Sequence, residues 1–272
     1  MLIGCLIVLG ADTLANTKWA ALASRKDRML PPDGLLGWRT PCLDYLIRKC
    51  SKCTASKCDD LDIYEFGVYT GRSMRAISKK FVDNDVAFRR MWGFDSFQGL
   101  PAEDTQARSS YARMKSALWT EGAFNAADLF NVHTLQELTA RLEKYILDSR
   151  VGWVPGFYNE SLSKQLAQHR RMHPALFVDI DCDLYSSAYQ ALNWMFENRL
   201  MGLGSVVGYD DWAAGGAFGE QRAHREIAAK YNATFRQIPR SLSPQPCFEL
   251  VSFGHTGEQR NVSREKAGDT TA

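Results

Sequence analysis

Continuous apolar runs of strand length alternate with helix-length segments along most of this chain. The strand-like runs cover 61–66, 88–94 and 151–157, and two more begin at Ala175 and Gly204 and end in acids. Such runs indicate strands buried on both faces of a sheet. Between them, the i, i+3, i+4 spacing of Leu135, Leu138, Leu142 and Ile146 predicts an amphipathic helix over 133–147.

Further helices are predicted over 41–51, 72–81, 161–169, 186–198 and 220–231, with late strands over 235–238 and 247–253. Alternating strands and helices predict an α/β fold built on a doubly wound, mostly parallel sheet. The chain of 272 residues suits one such domain with extensions. We place the domain at residues 59–253, after a cysteine-bearing N-terminal extension (1–58) and before a polar tail (254–272) predicted to be disordered.

Charge and terminal composition exclude some classes of partner. A net charge of +2 and a pI near 8.1 give no support for nucleic-acid binding. The apolar N-terminal run of residues 1–10 is too short to span a bilayer, so no membrane partner is expected. We predict a cytoplasmic protein, with a short N-terminal signal sequence as the alternative.

Four cysteines cluster before the first predicted strand. Their spacing could hold zinc, could form two disulfides in a secreted chain, or could belong to unpaired thiols. The sequence leaves these three interpretations open for Cys42, Cys50, Cys53 and Cys58.

Acidic residues end two successive apolar runs. Asp181 and Asp183 follow the run from Ala175, and Asp210 and Asp211 follow the run from Gly204. The carboxyl ends of consecutive parallel strands lie at one edge of a sheet, so these side chains are expected to converge. Carboxylates that close require an offsetting cation, and oxygen ligands favour Mg²⁺, Ca²⁺ or Mn²⁺. The alternative is that these acids cap the helices that follow.

A glycine turn joins the first predicted strand to its helix, in Glu65-Phe-Gly67-Val-Tyr-Thr-Gly71-Arg-Ser73. The spacing lacks the middle glycine of a dinucleotide loop and favours a ligand with a cationic or zwitterionic end, with Glu65 facing its positive charge. Asp95 ends the second strand, where nucleoside-binding folds hold ribose hydroxyls. The alternative for Asp95 is a turn or helix-capping role.

Together these motifs resemble the macrocin O-methyltransferase (TylF/MycF/NovP-like) family of class I S-adenosylmethionine-dependent methyltransferases. The resemblance also includes Trp119, Gly122, Val154-Pro-Gly156-Phe157 and Gly219-Glu-Gln-Arg-Ala223, and it covers roughly residues 60–240. It implies a Rossmann-like sheet and methyl transfer from S-adenosylmethionine to a hydroxyl of a small acceptor such as a sugar, with Mg²⁺ as second cofactor.

Carried onto this sequence, the resemblance implies that Gly67 and Gly71 line the methionine end of the cofactor. It implies that Asp95 holds the ribose and that Ser96 lies near the adenosine; Glu65 and Ser73 complete the expected cofactor site. Asp181, Asp210 and Asp211 are the expected metal ligands, and Asp181 or Asp183 the general base. The chain departs from the family at Cys182, where the family usually has glycine.

Two other functions are consistent with the same motifs. A metal-independent methyltransferase would use the acids only as helix caps, and a non-catalytic module would bind the cofactor without transferring a methyl group. The expected partner in the leading hypothesis is a small hydroxyl-bearing molecule. The sequence also leaves a homo-oligomer open.

Overall fold

A computed structural model of the chain describes residue 37 and residues 39–52, 58–102, 120–212, 219–239 and 246–254. Helices in chain order are α1 (Arg39–Lys52), α2 (Arg72–Val82), α3 (Ala126–Phe130), α4 (Leu135–Ile146), α5 (Tyr158–Ser161), α6 (Leu166–His169), α7 (Tyr185–Glu197) and α8 (Glu220–Lys230). The strands are β1 (Asp62–Phe66), β2 (Met91–Asp95), β3 (Val151–Pro155), β4 (Ala175–Ile180), β5 (Val206–Tyr209), β6 (Thr234–Gln237) and β7 (Cys247–Ser252).

The strands form one sheet, which has seven strands within the described residues and the order β3-β2-β1-β4-β5-β7-β6. Strands β1 to β5 pair in parallel, whereas β7 runs antiparallel to both β5 and β6. The chain builds outward from β1 to β3 and then returns to add β4 and β5 on the other side. The strand order thus reverses between β1 and β4, and doubly wound folds bind ligands at such a point. The predicted α/β, mostly parallel, Rossmann-like sheet is confirmed.

Side chains of each strand alternate between two hydrophobic clusters, one on each face of the sheet. Ile63 of β1 packs with Leu43 of α1 and Ile77 of α2, while Tyr64 and Phe66 point to the opposite cluster. Helices α2 and α4 cover the first face, and α7 and α8 cover the second. Both faces are therefore covered, which explains why most side chains of the parallel strands are apolar.

Helix α1 packs into the first cluster, although it belongs to the predicted N-terminal extension. Leu43 and Leu46 are fully buried. Two disulfides hold the helix: Cys42 pairs with Cys247 on β7, and Cys50 pairs with Cys58. Disulfides are typical of oxidising compartments. The cytoplasmic location and the domain boundary at residue 58 stay predictions, and Cys53 lies outside the described residues.

Most predicted elements are present with shifted ends. The strand predicted over 88–94 begins only at Met91, and the helix predicted over 161–169 is split into α5 and α6. Helix α3 was not predicted; its Asn125 side chain caps it by accepting the backbone N–H groups of Ala127 and Asp128. None of the helices that the structure describes is both long and apolar enough to cross a membrane. The predicted tail lies outside the described residues beyond Gly254.

Candidate active site

A cleft of about 660 Å³ opens at the carboxyl ends of β1, β2, β4 and β5. This volume lies within the range typical of small-molecule sites. One wall holds the glycine turn after β1 and the turn after β2, and the facing wall holds the acids after β4 and β5. The parallel register of these four strands therefore brings together chemistry that is spread over almost 150 residues of sequence.

Gly67 allows the end of β1 to lie directly against the segment after β4. Its φ of +94° is a left-handed conformation, and a Cβ at this position would collide with the backbone carbonyl of Asp181. The following N–H groups of Val68 and Tyr69 both donate to Asp95 Oδ2 at 2.9 Å. The glycine turn is thus fixed to β2 and β4 at once.

Asp95 stabilises this turn with both carboxylate oxygens. Its Oδ1 accepts the backbone N–H of Phe97 at 2.6 Å, in addition to the two bonds at Oδ2. Burial raises the pKa of Asp95, and the backbone donors oppose that rise. Asp95 therefore has the turn role that the sequence offered as an alternative. Asp95 also lines the cleft, where it could reach a ligand. Its ribose role stays a prediction.

The other predicted cofactor residues divide between the cleft wall and the layer beneath it. Ser96 lines the cleft and donates from Oγ to the carbonyl of Gly99 at 2.6 Å; Ser73 also lines it. Glu65 is fully buried, and its Oε1 accepts a hydrogen bond from Ser73 Oγ at 2.5 Å. Gly71 adopts a left-handed φ of 70° where α2 begins. Neither Glu65 nor Gly71 is part of the cleft wall.

The three predicted metal ligands converge. Asp181, Asp210 and Asp211 can each place one carboxylate oxygen so that these atoms lie within 4.8 Å of one another. Burial, followed by the charge of Asp210, raises the pKa of Asp181. Burial, followed by the charge of Asp183, raises the pKa of Asp211 to about 9. The mutual repulsion and burial of these carboxylates therefore favour binding of a cation.

Asp183 lies in the cleft wall beside this cluster but outside the convergent set. Strand β4 ends at Ile180, and Asp183 has a left-handed φ of 59°. The alternation of an extended strand therefore does not continue as far as Asp183. Its carboxylate is hydrogen-bonded to Asp211.

Arg39 is a functional candidate that the sequence analysis missed. Its Nε donates to Asp179 Oδ2 at 2.6 Å, and its Nη2 donates to Asp181 Oδ2 at 2.7 Å. Its Nη1 lies 3.7 Å from Asp210 Oδ1. Burial alone would lower the pKa of Arg39, but the three carboxylates outweigh it and raise that pKa. One side chain from α1 thus touches three acids from two strands.

Asp179 is the buried partner of Arg39 and was treated as part of an apolar run. It is fully buried opposite Glu65 in the β1–β4 register, and burial raises its pKa to about 6 against the effect of Arg39. The alternation of side chains along a strand could have indicated Asp179, because residues two apart, such as Asp179 and Asp181, point to the same side of a strand. A buried acid there requires a cation from the covering layer.

Glu220 is a second missed acid. It begins α8, is fully buried, and accepts the backbone N–H of Asp211 with Oε2 at 3.0 Å. Burial, followed by the charge of Asp211, raises the pKa of Glu220. Its Oε1 has no hydrogen-bond partner among the described residues. Glu220 therefore fixes the backbone of a predicted metal ligand from behind.

The donor set fits the groups that the sequence implied. Three carboxylate oxygens that can approach within 4.8 Å are hard ligands of the kind Mg²⁺ takes, usually with water or substrate completing its shell. The other end of the cleft combines backbone at Gly67, the Asp95 carboxylate and the apolar side chains of Leu100 and Phe124. That combination suits a nucleoside linked to an amino-acid chain.

Comparisons with known proteins agree with this arrangement. The sequence profile of the family described as macrocin-O-methyltransferase (TylF) matches residues 45–235. The 8-demethyl-8-(2,3-dimethoxy-alpha-L-rhamnosyl)-tetracenomycin-C 4'-O-methyltransferase of Streptomyces olivaceus is 31% identical over 158 residues, which are 56% of this chain and 53% of that protein. The chain thus spans about half the length of this curated relative.

Two solved structures share the fold. The O-methyltransferase NovP matches with a TM-score of 0.55 and 20% identity, over 78% of this chain and 80% of its own. A calicheamicin methyltransferase matches with a TM-score of 0.58 and 18% identity, over 92% of this chain and 99% of its own. At such identities the likeness concerns the fold.

Proposed function

Because the chain belongs to the macrocin-O-methyltransferase family, we propose that it transfers the methyl group of S-adenosylmethionine to a hydroxyl of a small polyhydroxylated acceptor, such as a sugar. The observation that carries this proposal is the single cleft lined by Gly67 and Asp95 on one wall and by Asp181, Asp210 and Asp211 on the other. The donor and the acceptor hydroxyl would lie side by side there.

The cofactor residues are assigned by their place in the cleft. Backbone at Gly67 would contact the methionine part, Asp95 would accept hydrogen bonds from the ribose, and Ser96 would lie near the adenosine. Glu65 and Gly71 would act from beneath the wall, since Glu65 hydrogen-bonds Ser73 at the start of α2. Asp95 can still accept a ribose hydroxyl because a carboxylate offers about four lone-pair sites, of which three backbone N–H groups take up three.

The acceptor would bind at the cleft wall that holds Asp181, Asp210 and Asp211, which we call the acidic wall. We assign Asp181, Asp210 and Asp211 as the residues that would hold Mg²⁺, and the chemistry it would supply is a lower pKa for the acceptor hydroxyl. The hydroxyl oxygen would form a bond to the methyl carbon as the sulfur–methyl bond of the donor breaks, and Asp181 or Asp183 would take the hydroxyl proton. Holding donor and acceptor in line is the main contribution expected of the cleft.

The acceptor class follows from the relative. The Streptomyces olivaceus enzyme is described as a 4'-O-methyltransferase of a rhamnosyl-bearing tetracenomycin. We therefore propose rhamnosides and related deoxysugar glycosides as the first acceptors to assay. Radiolabelled methyl transfer to such a panel, with S-adenosylmethionine as donor, tests the proposal. Failure of calorimetry to detect binding of either S-adenosylmethionine or S-adenosylhomocysteine would overturn it.

Substitution of a predicted metal ligand separates the two walls. We expect Asp210→Asn to lower turnover at least about a hundredfold, because an amide is a neutral and weaker ligand, while binding of S-adenosylhomocysteine changes less than about twofold. Asp83→Asn is the matched control, since Asp83 follows α2 with its side chain 51% exposed. Equal turnover in Asp210→Asn and the control would contradict the assignment of the acidic wall.

A metal-independent methyltransferase is the second candidate, because Arg39 already supplies a positive charge to Asp181 and Asp210. Chelation distinguishes the two mechanisms. With excess EDTA, the metal-dependent enzyme is expected to lose activity and to regain it when Mg²⁺ is added back. Full activity in EDTA would select the metal-independent mechanism.

A further inference from the structure

Arg39 occupies a position that its structural surroundings alone do not explain. Its side chain is 7% exposed, and it could have paired with the fully buried Asp179 alone. Instead its fork also reaches Asp181 and approaches Asp210, both 30% exposed at the cleft. Arg39 therefore joins the buried acid under the sheet edge to two of the carboxylates that face the ligand.

The contact with Asp181 uses only one of its two carboxylate oxygens. Nη2 of Arg39 donates to Oδ2, which leaves Oδ1 to a ligand in the cleft. One guanidinium carries a single positive charge against Asp179, Asp181 and Asp210, so an excess of negative charge remains for a divalent cation. A carboxylate held through one oxygen cannot rotate freely, and a fixed ligand orientation favours metal binding.

The backbone that carries Arg39 is held firmly. Cys42, three residues along α1, is cross-linked to Cys247 on β7. At the far end of the helix, Lys49 Nζ donates to Glu249 Oε1 at 2.7 Å and to the carbonyl of Gly204 at 2.9 Å. Both ends of α1 are therefore anchored: the disulfide ties its start to β7, and Lys49 ties its far end to β7 and to Gly204 before β5.

We propose that Arg39 is a positioning residue that orients Asp181 and Asp210 for a divalent cation, and that α1 is the element that places it. The inference rests on the metal site of the proposed function. It adds a residue from outside the domain boundary predicted from sequence. Arg39 acts here through the carboxylates.

The sign of one measurement separates this role from simple charge balance. If Arg39 only offset the acids, its removal would leave the site more negative and would strengthen cation binding. If Arg39 orients the ligands, its removal weakens cation binding, and loss of such a supporting hydrogen bond commonly costs 10- to 100-fold in metal affinity, on the order of outer-shell effects.

The experiment uses the full chain with its disulfides intact and Mn²⁺ as the probe, detected by electron paramagnetic resonance. We expect Arg39→Gln to raise the Mn²⁺ dissociation constant at least about tenfold. Arg39→Lys keeps the charge but loses the fork, so a rise of similar sign is expected. Arg48→Gln is the matched control, because Arg48 is exposed on the same helix; its Mn²⁺ affinity is expected to stay unchanged.

Two further measurements keep a structural defect apart from this role. Thermal unfolding reports whether the fold is intact, and calorimetry with S-adenosylhomocysteine reports the other cleft wall. The dissociation constant for S-adenosylhomocysteine is expected to change less than about twofold. If loss of Arg39 leaves the buried Asp179 uncompensated and the protein does not fold, the double variant Arg39→Gln/Asp179→Asn removes that charge as well. In this background the Mn²⁺ affinity is again expected to fall.

The outcomes are distinct. Unchanged or tighter Mn²⁺ binding in a folded Arg39 variant overturns the inference and leaves the proposed function intact. Absence of Mn²⁺ binding to the unsubstituted protein overturns the metal site of the proposed function, and the inference with it. Weaker Mn²⁺ binding with preserved S-adenosylhomocysteine binding supports the positioning role.

Discussion

Gly67 is the residue at which the requirements of the fold and of the site coincide. Its left-handed φ of +94° turns the chain out of β1, and its missing side chain admits the carbonyl of Asp181. Gly122 also has a left-handed φ, of +79°, but among the described residues no atom other than those of its chain neighbours lies within 4 Å of where its Cβ would be. The two glycines share a left-handed backbone conformation, but only Gly67 lies against the backbone of another segment.

This pair gives a matched prediction. A left-handed conformation costs an alanine about 1–2 kcal/mol at either position. We expect Gly122→Ala to lower the free energy of unfolding by about that amount, and Gly67→Ala to lower it by at least about 3 kcal/mol, since the backbone must also move. Urea denaturation of both variants checks this. Equal losses would show that the contact with Asp181 relaxes without cost.

His224 provides a prediction for pH. It is partly buried on α8, shares a hydrogen bond of 2.8 Å with the Tyr209 hydroxyl, and packs against Trp212, Phe235 and Phe248. Burial, followed by the charge of Arg225, lowers the pKa of His224 from 6.5 to about 4. Between these two values the unfolded chain binds the proton and the folded chain does not.

Stability linked to His224 is therefore complete above pH 6.5 and is lost as pH falls towards 4. The shift corresponds to about 3 kcal/mol across this window. We expect urea denaturation to show that loss in the unsubstituted protein and a smaller pH dependence in His224→Gln. A parallel dependence in both would contradict the assignment to His224.

At the scale of elements, helix α1 supplies the side chain, Arg39, that contacts Asp181 and Asp210 of the acidic wall. Arg39 and Cys42 lie in its first turns, and Leu43 and Leu46 bury its inner face. The two disulfides attached to it close loops of very different size: Cys42–Cys247 spans 205 residues and Cys50–Cys58 spans 8. Their removal should therefore have unequal effects.

In the chain-entropy description, the longer loop contributes about 5 kcal/mol and the shorter one about 3 kcal/mol. We expect Cys42→Ser/Cys247→Ser to destabilise the protein more than Cys50→Ser/Cys58→Ser. Only loss of the Cys42–Cys247 disulfide is expected to weaken Mn²⁺ binding, because Cys42 holds the turn that carries Arg39. Denaturation and Mn²⁺ titration of both double variants check this, and equal Mn²⁺ affinities would contradict the link to Arg39.

The elements that sequence predicted well are those whose local pattern agrees with their final surroundings. Strands β1 and β4 are mostly apolar because both faces of the sheet are covered. The acids after β4 and β5 converge because parallel strands share an edge. Arg39 could not be found in this way. It hydrogen-bonds Asp179 across 140 residues, and its local segment holds other arginines with the same appearance.

At the scale of the whole molecule, the core extends beyond the domain predicted from sequence. A chain that begins at residue 59 would lose the burial of Leu43 and Leu46, worth about 2 kcal/mol each, and would leave Asp179 without Arg39. We expect it to lack a cooperative thermal transition in calorimetry. A chain ending at residue 254 is the control, with an unchanged midpoint expected; a cooperative transition in the first chain would support the boundary at residue 58.

The pairing of α1 with β7 has a consequence for synthesis. Residue 42 leaves the ribosome about 10 to 40 seconds before residue 247, at typical elongation rates. During that interval β7 has not yet been synthesised, so the inner face of α1 cannot be anchored to that strand. Strands β1 to β5, which carry the acids, are synthesised earlier. The last described strand, β7, then holds the first described helix, α1, through the Cys42–Cys247 disulfide. Pairing of β7 with β5, which brings Cys247 to Cys42, is therefore the step expected to fix α1 and to place Arg39 beside the acids.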